Sequence, residues 1–255
     1  MIWPALERIV PCIVATLVST WIGFYAWRRR RVPGALWYAL MMWAQALWVL
    51  GYLFELLAPS LDGKIIWDDL QLIPALAIPP LFLAFAVDYA GVKVARPRLL
   101  WSAVTSIATA YMLIVFFGPR EWHMVDFRLV PGMPFNFLMY EFPPLVSAMA
   151  LYSYVLMVAG GVLLVRHAIR SPRYRPQTTT VLLGVAVPFI GSLLSLFGLL
   201  PASYRDMSPV SFSIGSLIVM WGMFRYHLLG VVPAPCERAF ERIRDAVVVL
   251  DEWYI

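Results

Sequence analysis

The chain has 255 residues, of which 62% are hydrophobic and 14% charged, and its mean hydropathy is +0.76. These values exclude an ordinary soluble globular domain. A net charge of +5 suits nucleic acid only where the cations share a face; here they sit in short segments beside apolar runs, which is a signal of membrane topology.

Seven apolar runs are long enough to cross a bilayer, a crossing needing about 20 residues. They are placed at Ile9–Trp27, Ala35–Leu57, Ile65–Ala90, Leu99–Phe117, Pro144–Val165, Thr178–Leu200 and Val210–Leu229. They predict an all-α integral membrane fold, a seven-helix bundle over residues 1–232, with a short cytoplasmic remainder over 233–255. Met1 to Glu7 lacks a basic leader, and Arg28, Arg29, Arg30 and Arg31 follow the first run. That run therefore reads as a retained span and not as a cleaved signal peptide.

The basic residues choose an orientation. Fifteen lie beside the first, third, fifth and seventh exits, among them Lys93, Arg96, Arg166, Arg170, Arg173, Arg225 and Arg238. Five lie on the other side: Arg8, Lys64, Arg120, Arg128 and Arg205. This asymmetry predicts an N-terminus outside and a C-terminus in the cytoplasm. Cys12 and Cys236 then fall on opposite sides of the membrane, so no disulfide is expected. The one long connection, Gly118 to Pro143, is on the outer side. It holds Trp122, His123, Phe127, Phe135, Phe137 and Tyr140, too many aromatics for a solvent linker. It is expected to pack over the bundle mouth or along the interface. No internal repeat of the kind transporters often show is visible.

Ionisable groups inside spans are costly and usually face the bundle interior. Trp48, Tyr52 and Glu55 share one face of the second span. Trp67 and Gln71 are four apart on the third, and Asp68 and Gln71 three apart. Glu55 and the Asp68–Gln71 pair thus stand at similar depth on neighbouring antiparallel helices. Trp48, Tyr52, Glu55, Trp67, Asp68 and Gln71 form a candidate ligand site in the outer half. The plainer reading gives Asp68 and Asp69 to the N-terminus of the third helix, where negative charge is favourable, and Trp67 to the aromatic belt. Asp88 reads as a solvated or Arg-paired helix end. Pro74, Pro79 and Pro80 interrupt the third span and predict either a static kink or a bend around a cavity. Ser192, Ser195 and Pro188 on the sixth span, with Ser208, Ser211, Ser213 and Ser216 around the seventh, suit helix packing more than ligand binding.

Several chemistries are excluded. Lys64 and Lys93 are the only lysines and neither is in the seventh span, so a retinal Schiff base there is ruled out. His123, His167 and His227 sit in a loop or at helix ends, which gives no intramembrane haem site. Metal-ligand spacing, a phosphate-binding glycine loop and a nucleophile elbow are all missing. No catalytic residue, metal or cofactor is expected.

After the seventh span come Phe224-Arg-Tyr-His-Leu-Leu-Gly-Val-Val-Pro233, an amphipathic exit helix over Cys236–Arg244, and the buried-strand pattern Ala246-Val-Val-Val-Leu-Asp251. The five residues after Leu250 do not complete a fold, so the end reads as truncated. With these residues the chain resembles the seven-helix N-terminal sensor region of bacterial histidine kinases, followed by the start of a PAS domain. Phe54-Glu55-Leu56-Leu57, Trp67, Gln71, Pro79-Pro80 and Tyr89-Ala90-Gly91 are similar to its second and third helices. The resemblance implies a signal-transduction input module in a bacterial inner membrane. It also implies an unidentified small or lipophilic ligand, an output domain beyond this chain, and a homodimer formed through that output. Signal would pass through Phe224, Arg225, Tyr226, Pro233 and Phe240. Neither a phosphoacceptor-histidine helix nor an ATP-binding segment is present, so kinase activity is not expected of this chain. A small permease is the alternative, and a plain membrane anchor a third reading.

Overall fold

The computed structural model describes residues 3–132, 135–172, 175–196 and 208–226. Among them stand seven α-helices: α1 (Trp3–Arg28), α2 (Ala35–Leu57), α3 (Leu61–Tyr89), α4 (Pro97–Phe117), α5 (Pro144–Arg170), α6 (Arg175–Leu196) and α7 (Ser208–Tyr226). Six are long and apolar enough to cross a membrane, and α7 carries the shorter apolar stretch Ser211–Gly222. The seven-helix bundle expected from the apolar runs is therefore present. The expected exit helix and strand, with Cys236, Pro233, Phe240 and His227, lie outside the described residues, as do Arg173 and Arg205.

Helices α1, α2, α3, α5, α6 and α7 pack in that order into a ring that closes where α7 meets α1, and α4 leans on α3 from outside. The sequence of α1 explains its place. Cys12, Ala15, Ser19, Ile22 and Ala26 recur every three to four residues and are fully buried. Small residues along one stripe let neighbouring backbones come close. Leu17 and Phe24 point the other way and are exposed, as are Phe117 on α4 and Leu151 on α5. Apolar side chains displayed around a whole bundle suit hydrocarbon, not water.

Several polar groups inside the ring pair across helices. Gln45 of α2 donates from Nε2 to Ser19 Oγ on α1 at 2.7 Å and to Ser216 Oγ on α7 at 2.6 Å. Ser213 Oγ donates to the Pro11 carbonyl at 2.6 Å, which ties α7 to α1 a second time. Ser213 and Ser216 thus support packing, as expected of them. Asp88 is exposed and accepts from the Gly34 N–H at 2.8 Å. Gly34 has φ 80°, a conformation that glycine adopts without strain, and the pair fixes the α1–α2 turn.

Three expectations need correction at the other end of the bundle. Ser60, and not Asp68 or Asp69, caps α3: its Oγ accepts from the Gly63 N–H at 3.2 Å. The helix starts a full turn before the apolar run, because a serine in extended conformation meets the first free N–H groups there. Lys64 is accordingly no loop charge but a helix residue only 1% exposed. The connection after α4 is not irregular: a short 3₁₀ turn (Arg120–Trp122) leads into an antiparallel hairpin of β1 (Val125–Val130) and β2 (Phe137–Glu141). Asp126, at φ 52°, lies where the register shifts between Val125 and Arg128. Met124 and Leu138 are buried against Ile65 of α3, so the segment does pack over the bundle mouth, as its aromatic content predicts.

Candidate functional site

Beneath the hairpin, between the C-terminal end of α2, the first turns of α3, and α5, lies a cavity of about 340 Å³. Each wall follows from helical spacing. Trp48, Tyr52 and Glu55 come from one face of α2, and Lys64, Asp68, Gln71 and Ala75 from one face of α3. Residues three, four and seven apart share a helix face. Gly51 sets how near the two helices come: a Cβ there would sit 2.8 Å from Gln71 Cβ. At that separation Gln71 reaches across, donating from Nε2 to Glu55 Oε2 at 2.9 Å and, more weakly, to Asp68 Oδ1 at 3.3 Å.

The hairpin closes the roof through polar contacts. Tyr140 Oη donates to Asp68 Oδ2 at 2.9 Å, and His123 Nε2 lies 3.3 Å from Asp69 Oδ1. The Arg8 guanidinium sits 4.4 Å from the centre of the Phe137 ring, a cation–π contact from α1 to β2. Asp69 therefore serves the roof and does not line the cavity.

A second, apolar cavity of about 260 Å³ continues the first toward the middle of the bundle. Trp48, Leu72, Ala75, Val146, Ala150, Tyr154 and Ser192 line both, so the two adjoin, the first with the more polar lining and the second almost wholly apolar. Pro79 and Pro188 line the deep part, while α3 runs as helix through all three of its prolines. Tyr154 Oη and Ser192 Oγ share a hydrogen bond of 2.9 Å across α5 and α6.

Five of the six residues singled out from the sequence, Trp48, Tyr52, Glu55, Asp68 and Gln71, meet at this cavity. Trp67 does not line it; its ring stacks on Phe54 with centroids 4.6 Å apart. Sequence reasoning missed Lys64, whose Nζ donates to the carbonyls of Glu55 at 2.7 Å and Leu56 at 3.1 Å. It also missed Gln45, an uncharged residue in an apolar helix. Of the residues assigned to transmission, Phe224, Arg225 and Tyr226 form the end of α7, where Arg225 is exposed. No group of three or more histidine, cysteine or acidic residues able to hold a metal occurs among the described residues.

A family model described as the N-terminal 7TM region of histidine kinase matches residues 11–233. No curated protein and no solved structure matches the chain.

Proposed function

The chain belongs to the family of N-terminal 7TM regions of histidine kinases, and we propose on that premise that it senses a small or lipophilic ligand in the cavity under the hairpin. The observation that supports this reading is the place of Trp48. It walls both parts of the cavity and meets Phe212 of α7 edge-on, ring centroids 4.9 Å apart. An occupant pressing on Trp48 acts directly on the helix nearest the output. A one- to two-ångström helix shift is enough to bias a bistable partner. In this reading the shift leaves the membrane through Phe224, Arg225 and Tyr226, passes Pro233 and Phe240, and reaches a PAS-type and kinase output that works as a homodimer. The match itself covers no catalytic domain.

The test fills the cavity. Ala150→Phe places a ring where both parts of the space meet, and Leu151→Phe adds the same ring on the lipid face, where Leu151 is exposed. With the chain joined to its kinase output in vesicles, Ala150→Phe is expected to change basal autophosphorylation about five-fold or more, equivalent to roughly 1 kcal/mol of bias. Leu151→Phe should leave it unchanged. Equal activity in both variants and the parent would remove the cavity from signalling.

The hairpin end is assigned to the outside and the C-terminus to the cytoplasm of a bacterial inner membrane, from the basic-residue asymmetry. In a Cys236→Ser background, a cysteine at Ser60 should react with an impermeant maleimide in intact cells. One at Ser171 should react only after the membrane is opened. The reverse pattern would invert the topology.

A further inference from the structure

The deep cavity has a distinctive wall and a distinctive shape. Its polar side chains are Trp48, Tyr111, Ser153, Tyr154 and Ser192, and the Tyr154 and Ser192 hydroxyls bond each other. The rest of the wall is aliphatic, aromatic, proline or methionine, and among the described residues no acidic or basic side chain lines it. Such a space suits hydrocarbon better than water, which needs two to four polar partners. The lining runs from Val146 to Met157 on α5, about 16 Å of helix. Spread over that length, about 260 Å³ is a cross-section of roughly 16 Å², long and narrow. An apolar cavity of about 150 Å³ takes a benzene ring, so this one has room for about ten carbons, which extend to about 12 Å. Helices α5 and α6 separate the space from the bilayer. Leu151 and Val155 of α5 and Ile190 of α6, each more than half exposed, directly follow the lining residues Ala150, Tyr154 and Phe189. Beside the cavity the two helices meet through Tyr154, which bonds Ser192 and sets its ring edge-on to Phe189, centroids 5.4 Å apart.

We infer that the deep cavity holds one unbranched aliphatic chain of about ten carbons, drawn from the bilayer. The inference rests on the reading of this space as the sensory site and names the class of ligand it takes. Hydrocarbon outside the protein is as apolar as the wall, so no hydrophobic drive favours entry. The empty volume does. Walls without partner atoms forfeit dispersion contacts, and a chain that fills the space restores them. That gain depends on shape, so an extended chain is selected over a compact molecule with as many carbons. The chain lies against Trp48 and Phe212, the ring pair through which an occupant acts on α7.

Decanol with a mid-chain diazirine is a direct probe, with the protein in phosphatidylcholine nanodiscs and labelled residues read by mass spectrometry. Phe212 is 6% exposed and lines the cavity, whereas Leu151 reports contact with the bilayer. Labelling is expected to saturate at Phe212 and not at Leu151. At equal mole fraction in the bilayer, plain decanol should compete at Phe212 at least about ten-fold better than hexanol, which is too short, or adamantanol, which folds as many carbons into a cage. Ala150→Phe should abolish labelling at Phe212 and spare Leu151. A phosphatidylcholine with the diazirine near the methyl end of one tail tells the two sources apart. Labelling of Phe212 by it assigns a lipid tail, and labelling by the decanol probe alone assigns a free chain. Equal competition by the three alcohols, which is measured without any variant, would overturn the chain assignment. Labelling of Phe212 that does not saturate, or that survives Ala150→Phe, would overturn it as well. Autophosphorylation that responds to Ala150→Phe while neither probe labels Phe212 would overturn the chain and leave the cavity in signalling. Saturable labelling without that response would keep the chain site and remove its sensory role.

Discussion

Lys64→Met is expected to destabilise the bundle by about 3 kcal/mol, a fall in melting temperature of roughly 6–12 °C for a chain of this size. Three costs combine. The last carbonyls of a helix have no partner within it, and in a membrane no water replaces the missing one. Lys64 supplies a partner for the Leu56 carbonyl from the neighbouring helix, its Nζ 3.1 Å away, and a second partner for the Glu55 carbonyl at 2.7 Å, beside the Ala58 N–H. A cation at a helix C-terminus also faces the negative end of the dipole. Finally, Lys64 and Glu55 are buried side chains lining the same cavity, so removing the lysine takes a positive charge away from the neighbourhood of a buried carboxylate. The third cost can be separated: Glu55→Gln added to Lys64→Met should restore part of the loss, and the shortfall from additivity measures the coupling. A melt unchanged by Lys64→Met would mean that the α2 carbonyls find other partners.

Lys64 also marks where the sequence stops being legible. Span boundaries at Ala35, Leu57, Phe117 and Pro144 fall where the helices begin or end, because hydropathy changes sharply there. At α3 it does not. The apolar run begins at Ile65 and the helix at Leu61, since Ser60 and a buried lysine do work that a hydropathy window reads as loop. The partner of Lys64 is the end of another helix, which only packing brings near. Helical periodicity placed Glu55, Asp68 and Gln71 on facing sectors, and they do meet. It also included Trp67, which lies about 60° around the helix from Lys64 and about 100° from Asp68 on the cavity side, and which Phe54 draws away. The hairpin had a signal that aromatic content alone obscured: Val125-Asp-Phe-Arg-Leu-Val130 alternates apolar and polar, and Pro131-Gly132 follows as a turn. Gln45 had none, for an amide in an apolar helix declares its partners only once α1 and α7 stand beside it.

Gly215→Leu is expected to be the more damaging change, costing more than about 3 kcal/mol or preventing assembly, because the contact it breaks is between backbones. A Cβ at Gly215 would run into the Gly184 carbonyl oxygen and lie 3.2 Å from Pro188 Cδ. From the other side, a Cβ at Gly184 would meet the Val219 side chain. Neither backbone can turn aside as a side chain can. The same closeness recurs seven residues away on each helix, where Gly191 faces Ser211 and Gly222 faces Thr180. The α6–α7 seam is thus held by four glycines, and forcing it open moves α7 as a body. Ser216, one residue on, would then lose its place 2.6 Å from Gln45 Nε2, and Phe212 its edge contact with Trp48. Gly161→Leu on α5 is the matched control: nothing lies within 4 Å of a Cβ there, and exchanging a helix glycine for leucine should be neutral or stabilising by up to about 1 kcal/mol. Melting of both variants in detergent decides it. Equal melts would mean that α6 and α7 do not touch at Gly184 and Gly215, and a loose seventh helix would have no rigid neighbour against which to shift.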